Sequence, residues 1–429
     1  TLIFNEDEMI IDINEELELI ENLIKQHTIM TDKFDITVTN PPYMGNSRMN
    51  GILKEYIDKN YSDVKSDLFA VFFIKCGEIT KRKGYLAFMS PFVWMFIKSY
   101  EELRKIFIEG KTISSLVQLE YSGFEDATVP ICTFVLQNSY TDKKGEYIKL
   151  SDFKGAKNQP IKTLEAVKNP NCNWKFQAKQ KDFEKIPGTP IAYWVSEKML
   201  KTFTEGIILK DLGILREGVK TGNNELYIYY WTEICYKDFY KKDKKYNKKW
   251  FPHHKGGEFR KWYGNNLEVI FWENDGEKIK SLKNSGISGK EMYFKPILSW
   301  SKNSSSHFGI RVYRDQLFDS ASPAIMLYDT AILEYVLAFL ISLGEKYLTF
   351  INPSLNTQVG DIGILPLLTA KNLEIVANIK KLVQQNIDIS KEEWDSRETS
   401  WDFEKLSLID GKDLKTAYEN YCNHWRDNF

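Results

Sequence analysis

A chain of 429 residues, 43% hydrophobic and 14% aromatic, carries enough apolar mass for two or three folded domains, which argues against disorder. Its formal net charge of −1 excludes a uniform polycation, so any nucleic-acid surface must come from local segregation of charge. Five cysteines (Cys76, Cys132, Cys172, Cys235, Cys422) with no C-x-x-C pair argue against a zinc site or a disulfide frame, and no apolar run reaches the roughly eighteen residues of a membrane helix; a soluble, cytoplasmic protein without a membrane partner is expected.

In chain order, residues 1–33 carry a helical pattern around Leu17, Leu19, Ile20, Leu23 and Ile24. Strands and helices then alternate: a strand over 36–39, a helix over 67–80, a strand over 85–90, a helix over 100–109, and strands over 113–119 and 131–137. This alternation predicts an α/β unit with a mostly parallel sheet. Residues 138–195 turn polar and rich in Pro, Lys and Asn, as a connecting stretch would be. From about Gly206 to Pro366 short aromatic-rich strands separated by Gly, Asn and Ser predict a β-rich module, and Leu373–Ile387 a return to helix. The domain reading is 1–140, a connection over 141–205, 206–368, and a helical region over 369–429.

Directly after the strand Ile36–Thr39 stand Asn40, Pro41, Pro42 and Tyr43. The amine of a base such as adenine is a poor nucleophile because its lone pair is delocalised into the ring. A catalyst must therefore hold it with two acceptors that draw both N–H bonds out of conjugation, and the Asn40 side-chain oxygen and the Pro41 carbonyl are two such acceptors. Two prolines fix φ and remove two backbone donors, which leaves stiffly aimed, uncommitted carbonyls. Tyr43 offers a ring face for an extruded base. Asn-Pro-Pro-Tyr is also an ordinary turn sequence; the apolar strand before it, with Asp35 upstream, favours the catalytic reading.

Residues 236–261 hold ten Lys or Arg against three acidic residues, interleaved with Tyr236, Phe239, Tyr240, Tyr246, Trp250, Phe251 and Phe259. A lysine run is most often a solvated loop, yet basic residues mixed with aromatics suit phosphate contact plus stacking. Lys220, Thr221 and Gly222 read as a tight turn toward phosphate, and Lys255, Arg260 and Lys261 as phosphate or base-edge contacts. The pair His253-His254 has no carboxylate at ligand spacing, so no metal is expected.

The tetrad matches motif IV of amino-group methyltransferases. The longer run Val38–Gly45 resembles the large adenine-specific DNA methyltransferases of BREX phage-defence systems, the PglX-like family, as do Ser66-Asp67-Leu68-Phe69, Gly218–Gly222, Lys255–Tyr263 and Trp394–Phe403. The resemblance implies an α/β fold made of a partial Rossmann-like S-adenosylmethionine-dependent methyltransferase sheet, a mixed β-rich target-recognition domain and C-terminal helices. It implies S-adenosyl-L-methionine as cofactor, double-stranded DNA as substrate and other phage-defence proteins as partners. It further implies Phe124 stacking on a target base opposite Tyr43, although a phenylalanine capping the strand over 131–137 is an equal reading. Asp67 and Phe69 fall where the family contacts the cofactor or base, and Asp67 is also a good helix cap.

In the family's order a glycine-rich cofactor turn precedes the tetrad. Only 39 residues precede Asn40, and the first glycine is Gly45. The expectation is a fragment lacking the N-terminal cofactor motif, with the tetrad strand as an exposed sheet edge and little affinity for S-adenosylmethionine. Two alternatives stay open: a methyltransferase acting on a protein glutamine amide or on RNA, and a non-catalytic DNA-binding or specificity component.

Overall fold

A computed structural model describes residues 6–121, 123, 129–240, 248–304, 307–352, 356–409 and 413–428. The chain divides into two compact units, Thr1–Val195 and Ser196–Phe429.

The first unit opens with helix α1 (Glu6–Thr31), on which Leu17, Leu19, Ile20, Leu23 and Ile24 are exposed. Strand β1 (Phe34–Thr39) follows, then α2 (Gly51–Asn60), α3 (Leu68–Ile79), β2 (Thr80–Pro91), α4 (Glu101–Gly110), β3 (Thr112–Gln118), β4 (Ile131–Gln137), β5 (Lys144–Lys149), α5 (Asn158–Lys168) and β6 (Lys175–Lys179). Six strands form one sheet in the order β1-β2-β4-β3-β5-β6. The pairs β1/β2 and β3/β5 are parallel, whereas β2/β4, β3/β4 and β5/β6 are antiparallel. The sheet is thus mixed rather than mostly parallel, because β4 lies between β2 and β3 and runs against both. Residues 144–149 and 175–179, in the stretch read as a connection, supply two of its strands, and the division between compact units falls at Val195.

Period-two alternation sends Leu86, Phe88 and Ser90 of β2 and Cys132, Phe134 and Leu136 of β4 to one buried face. There α3 and α4 bring Phe73 and Phe107, and Trp94 fills the gap. Ring centroids lie 4.6 Å apart for Phe73 and Phe88, 5.3 Å for Phe73 and Phe134, and 4.9 Å for Trp94 and Phe134. Each such burial contributes about 1.5–3 kcal/mol. Arg104, 1% exposed, is tolerated because its guanidinium donates to the carbonyls of Trp94, Ile97 and Gly188. The opposite face is less covered: Ile36 is 64% and Val38 70% exposed.

The second unit holds two four-stranded sheets. One joins Ile228–Tyr230, Glu268–Phe271, Trp250–His254 and Leu317–Phe318; the other joins Ile310–Tyr313, Ile297–Trp300, Ala324–Leu327 and Gly213–Arg216. Helices Leu373–Asp395 and Leu414–Asn428 close it. Gly218 is required by contact, since a Cβ there would sit 1.9 Å from the Phe318 carbonyl oxygen. No described helix is long and apolar enough to cross a membrane.

Candidate active site

The last register pair of β1 with β2 is Thr39 with Phe88, and Asn40 begins where that ladder ends. Pro41 is buried, while Asn40, Pro42 and Tyr43 are exposed. A cleft of about 340 Å³ runs over the open sheet face beside Asn40, lined among others by Val38, Ala87, Met89, Thr133 and Val135. No described donor bonds to the Pro41 carbonyl. The Asn40 Oδ1, by contrast, accepts the Tyr43 hydroxyl at 2.8 Å, and the Met89 carbonyl lies 3.4 Å from that hydroxyl. A phenol has one proton, so the shorter contact takes it. Burial raises the Tyr43 pKa, with Cys132 adding to the shift, which keeps the phenol a donor.

The loop is fixed downstream by residues 65–68. Met44 donates its N–H to Asp67 Oδ1 at 2.9 Å and accepts from the Leu68 N–H at 3.0 Å, and Asn46 N–H bonds to the Ser66 carbonyl at 3.1 Å. Asp67 also caps α3 through the Phe69 N–H, at 3.3 Å. Phe69, 1% exposed, lies edge-on to Tyr43 with centroids 6.3 Å apart at 88°.

Among the described residues, Asp67 and Phe69 are not placed to hold a sulfonium cofactor. The Asp67 carboxylate is engaged by two backbone N–H groups, and the Phe69 ring is sealed in the core. Phe124 lies outside the described residues.

In the second unit, Lys220 is exposed, Gly222 takes a left-handed φ of +76°, and Thr221 is buried with its hydroxyl 2.6 Å from Asn224 Oδ1. Arg260 pairs with Glu393, donates to the Tyr263 carbonyl and lies 5.0 Å from the Trp394 ring, so its cation is already engaged within the unit. Lys261 lies 5.8 Å from the Phe259 ring, and the half-buried Lys255 faces Glu268 and Asp319. Of the basic stretch, 241–247, with Tyr246, lies outside the described residues. Sequence reasoning missed the proximity of His253 Nε2 to Asp319 Oδ2, 3.9 Å, because 66 residues separate them in the chain. Both histidines are fully buried, and among the described residues no group of three or more His, Cys, Asp or Glu is arranged to hold a metal.

Residues 2–124 match the family model of the Eco57I restriction-modification methylase. The adenine-specific methyltransferase PglX of Lacticaseibacillus casei (strain Zhang) is 35% identical over 94% of this chain and 34% of its own length. The chain is similar to one part of a PglX-type methyltransferase. BrxX of Escherichia coli O9:H4 (strain HS), also an adenine-specific methyltransferase, is 33% identical over 93% of this chain and 33% of its own length. The chain therefore spans about a third of the length of these PglX-type relatives. The DNA complex of the Type IIL restriction-modification enzyme MmeI shares the fold over 90% of this chain and 53% of its own, with a TM-score of 0.54 at 13% identity. The PglX-type likeness thus runs through both compact units, well beyond the tetrad.

Proposed function

We propose that this chain is the base-binding part of an adenine-N6 DNA methyltransferase serving phage defence or restriction-modification, with a target-recognition module within residues 206–368. The observation that carries the reading is Asn40 at the end of β1 followed by a Pro41 carbonyl to which no described group donates. In the complete enzyme, Asn40 Oδ1 and the Pro41 carbonyl accept the two N–H bonds of the flipped amine and restore its lone pair. Tyr43 rotates its hydroxyl off Asn40 and stacks on the base. After transfer the proton leaves to solvent, so no strong base is required. S-adenosylmethionine is the methyl donor that this reading implies. Lys220, Lys255 and Lys261 remain candidates for DNA phosphate; Arg260 is better suited to holding the module together.

The test is transfer of labelled methyl from S-adenosylmethionine to unmethylated duplex DNA by the full-length protein that contains this chain. Asn40→Ala is expected to abolish transfer. Undiminished transfer by Asn40→Ala, or a preference for RNA or a glutamine peptide over DNA, would overturn the reading.

A further inference from the structure

The tetrad loop has an unusual anchoring problem. Pro41 and Pro42 have no N–H, so the middle of the tetrad cannot be tied to a neighbour by backbone donors of its own. It is held at its ends. Upstream, the ladder of β1 on β2 stops at Thr39. Downstream, the next fixed point is Met44, whose N–H enters Asp67 Oδ1 at 2.9 Å while its carbonyl accepts the Leu68 N–H at 3.0 Å. Gly45 forms an antiparallel bridge with Asp67. Of the bonds from Met44, Asp67 supplies the one that uses a side chain.

The same Oδ1 accepts the Phe69 N–H at 3.3 Å, with Asp67 in an extended backbone conformation at φ −152° and ψ 151°, as a helix cap requires. The helix so started carries Phe69, whose buried ring meets Tyr43 edge-on. A single carboxylate therefore fixes the backbone one residue after Tyr43 and the helix turn that supports the Tyr43 ring.

We propose that Asp67 is a positioning residue for base binding: it sets where the Asn40 and Pro41 acceptors and the Tyr43 ring sit, and does not itself contact substrate or methyl donor. This rests on the amine-binding role given above to Asn40. A displacement of about 1 Å at such acceptors is enough to cost about 100-fold in rate.

Asp67→Ala, Asp67→Ser and Asp67→Asn in the full-length protein separate the possibilities. Serine keeps a capping oxygen for α3 but is too short to hold Met44, whereas the asparagine oxygen can accept the same N–H. Three quantities are measured: hydrogen exchange at the Met44 amide, kcat and KM for duplex DNA, and the Kd for S-adenosylmethionine. Alanine and serine are expected to speed Met44 exchange by about 10-fold or more, from loss of its hydrogen bond, and to lower kcat about 100-fold with cofactor Kd unchanged. Asparagine should stay near wild type in all three. If alanine unfolds the protein, the serine variant carries the test. Weakened cofactor binding with kcat intact would make Asp67 a cofactor ligand and overturn the proposal, as would unchanged Met44 exchange or an asparagine variant as damaged as alanine. Failure of the underlying reading looks different: a wild-type protein that methylates no DNA, or an active Asn40→Ala variant.

Discussion

The Tyr43 hydroxyl lies 2.8 Å from Asn40 Oδ1 and so occupies the acceptor to which the proposed function assigns the target amine. Without a base, that contact satisfies Asn40 and holds the ring edge-on to Phe69; a base must exchange one hydrogen bond for another. The ring and the hydroxyl therefore contribute differently. Tyr43→Phe keeps the stacking face and frees the acceptor, so full-length enzyme carrying it should bind DNA with an adenine analogue at the target position as tightly as wild type, or more tightly. Tyr43→Ala should lose about 1–3 kcal/mol, the usual worth of one base stacked on an aromatic ring. Fluorescence anisotropy of an end-labelled duplex whose target base keeps its 6-amino group reads both, and equal losses in the two variants would assign the effect to the hydroxyl instead. The candidate tetrad could be picked out of the sequence because the proposed chemistry is carried by four adjacent residues. The Tyr43–Phe69 contact and the Met44–Asp67 bond were not, because each joins residues more than twenty positions apart.

At the scale of elements, β1 is the informative one. Its Thr37 faces the packed side, where the Thr37 and Thr80 hydroxyls lie 2.7 Å apart, while the exposed Asp35 pairs with Lys81 at 3.0 Å. Its apolar residues Ile36 and Val38 face outward on an edge strand, a combination that favours association. The 429-residue chain should accordingly bind a hydrophobic dye and self-associate. Replacing both residues by threonine, which keeps β-branching, should reduce both effects while changing stability by no more than about 0.5 kcal/mol per site; a large drop in melting temperature would show that the face is packed after all. The alternation of strands and helices, with Asn40 at a strand end, could be read from periodicity and from the residues themselves. The place of β4 between β2 and β3 could not, because strand order is set by long-range pairing. Nor could the membership of β5 and β6, whose charged residues Lys144, Glu146, Lys175 and Lys179 resemble those of a linker. Lys179 and Lys175 in fact form ion pairs with Asp142 and Glu146.

At the scale of the molecule, the second unit is the part whose stability should depend most on pH. His253 and His254 are fully buried, and His254 stacks on Tyr313 with centroids 3.8 Å apart. Burial, reinforced by Lys255, pushes the His253 pKa down to about 3. Burial with nearby Arg311 and His253 holds that of His254 well below its ordinary value. Unfolded, both titrate near ~6.5, so below that pH the unfolded chain binds protons that the folded unit refuses. The stabilisation is complete above ~6.5 and is lost as pH falls, for His253 toward its folded value of about 3, by up to ~1.4 kcal/mol per pH unit. Two neighbours oppose this. Glu268, paired across the ladder with His253, and Asp319 both have pKa values raised by burial, so their protonation favours the folded unit at the acid end. The steepest loss should therefore fall just below pH 6.5, before the carboxylates respond. Urea midpoints followed by tryptophan fluorescence should fall between pH 7 and about pH 5.5. His254→Phe, which retains an aromatic ring on Tyr313, should make that fall shallower because one proton acceptor of the unfolded chain is gone. An unchanged slope in this variant would place the acid sensitivity elsewhere in the chain.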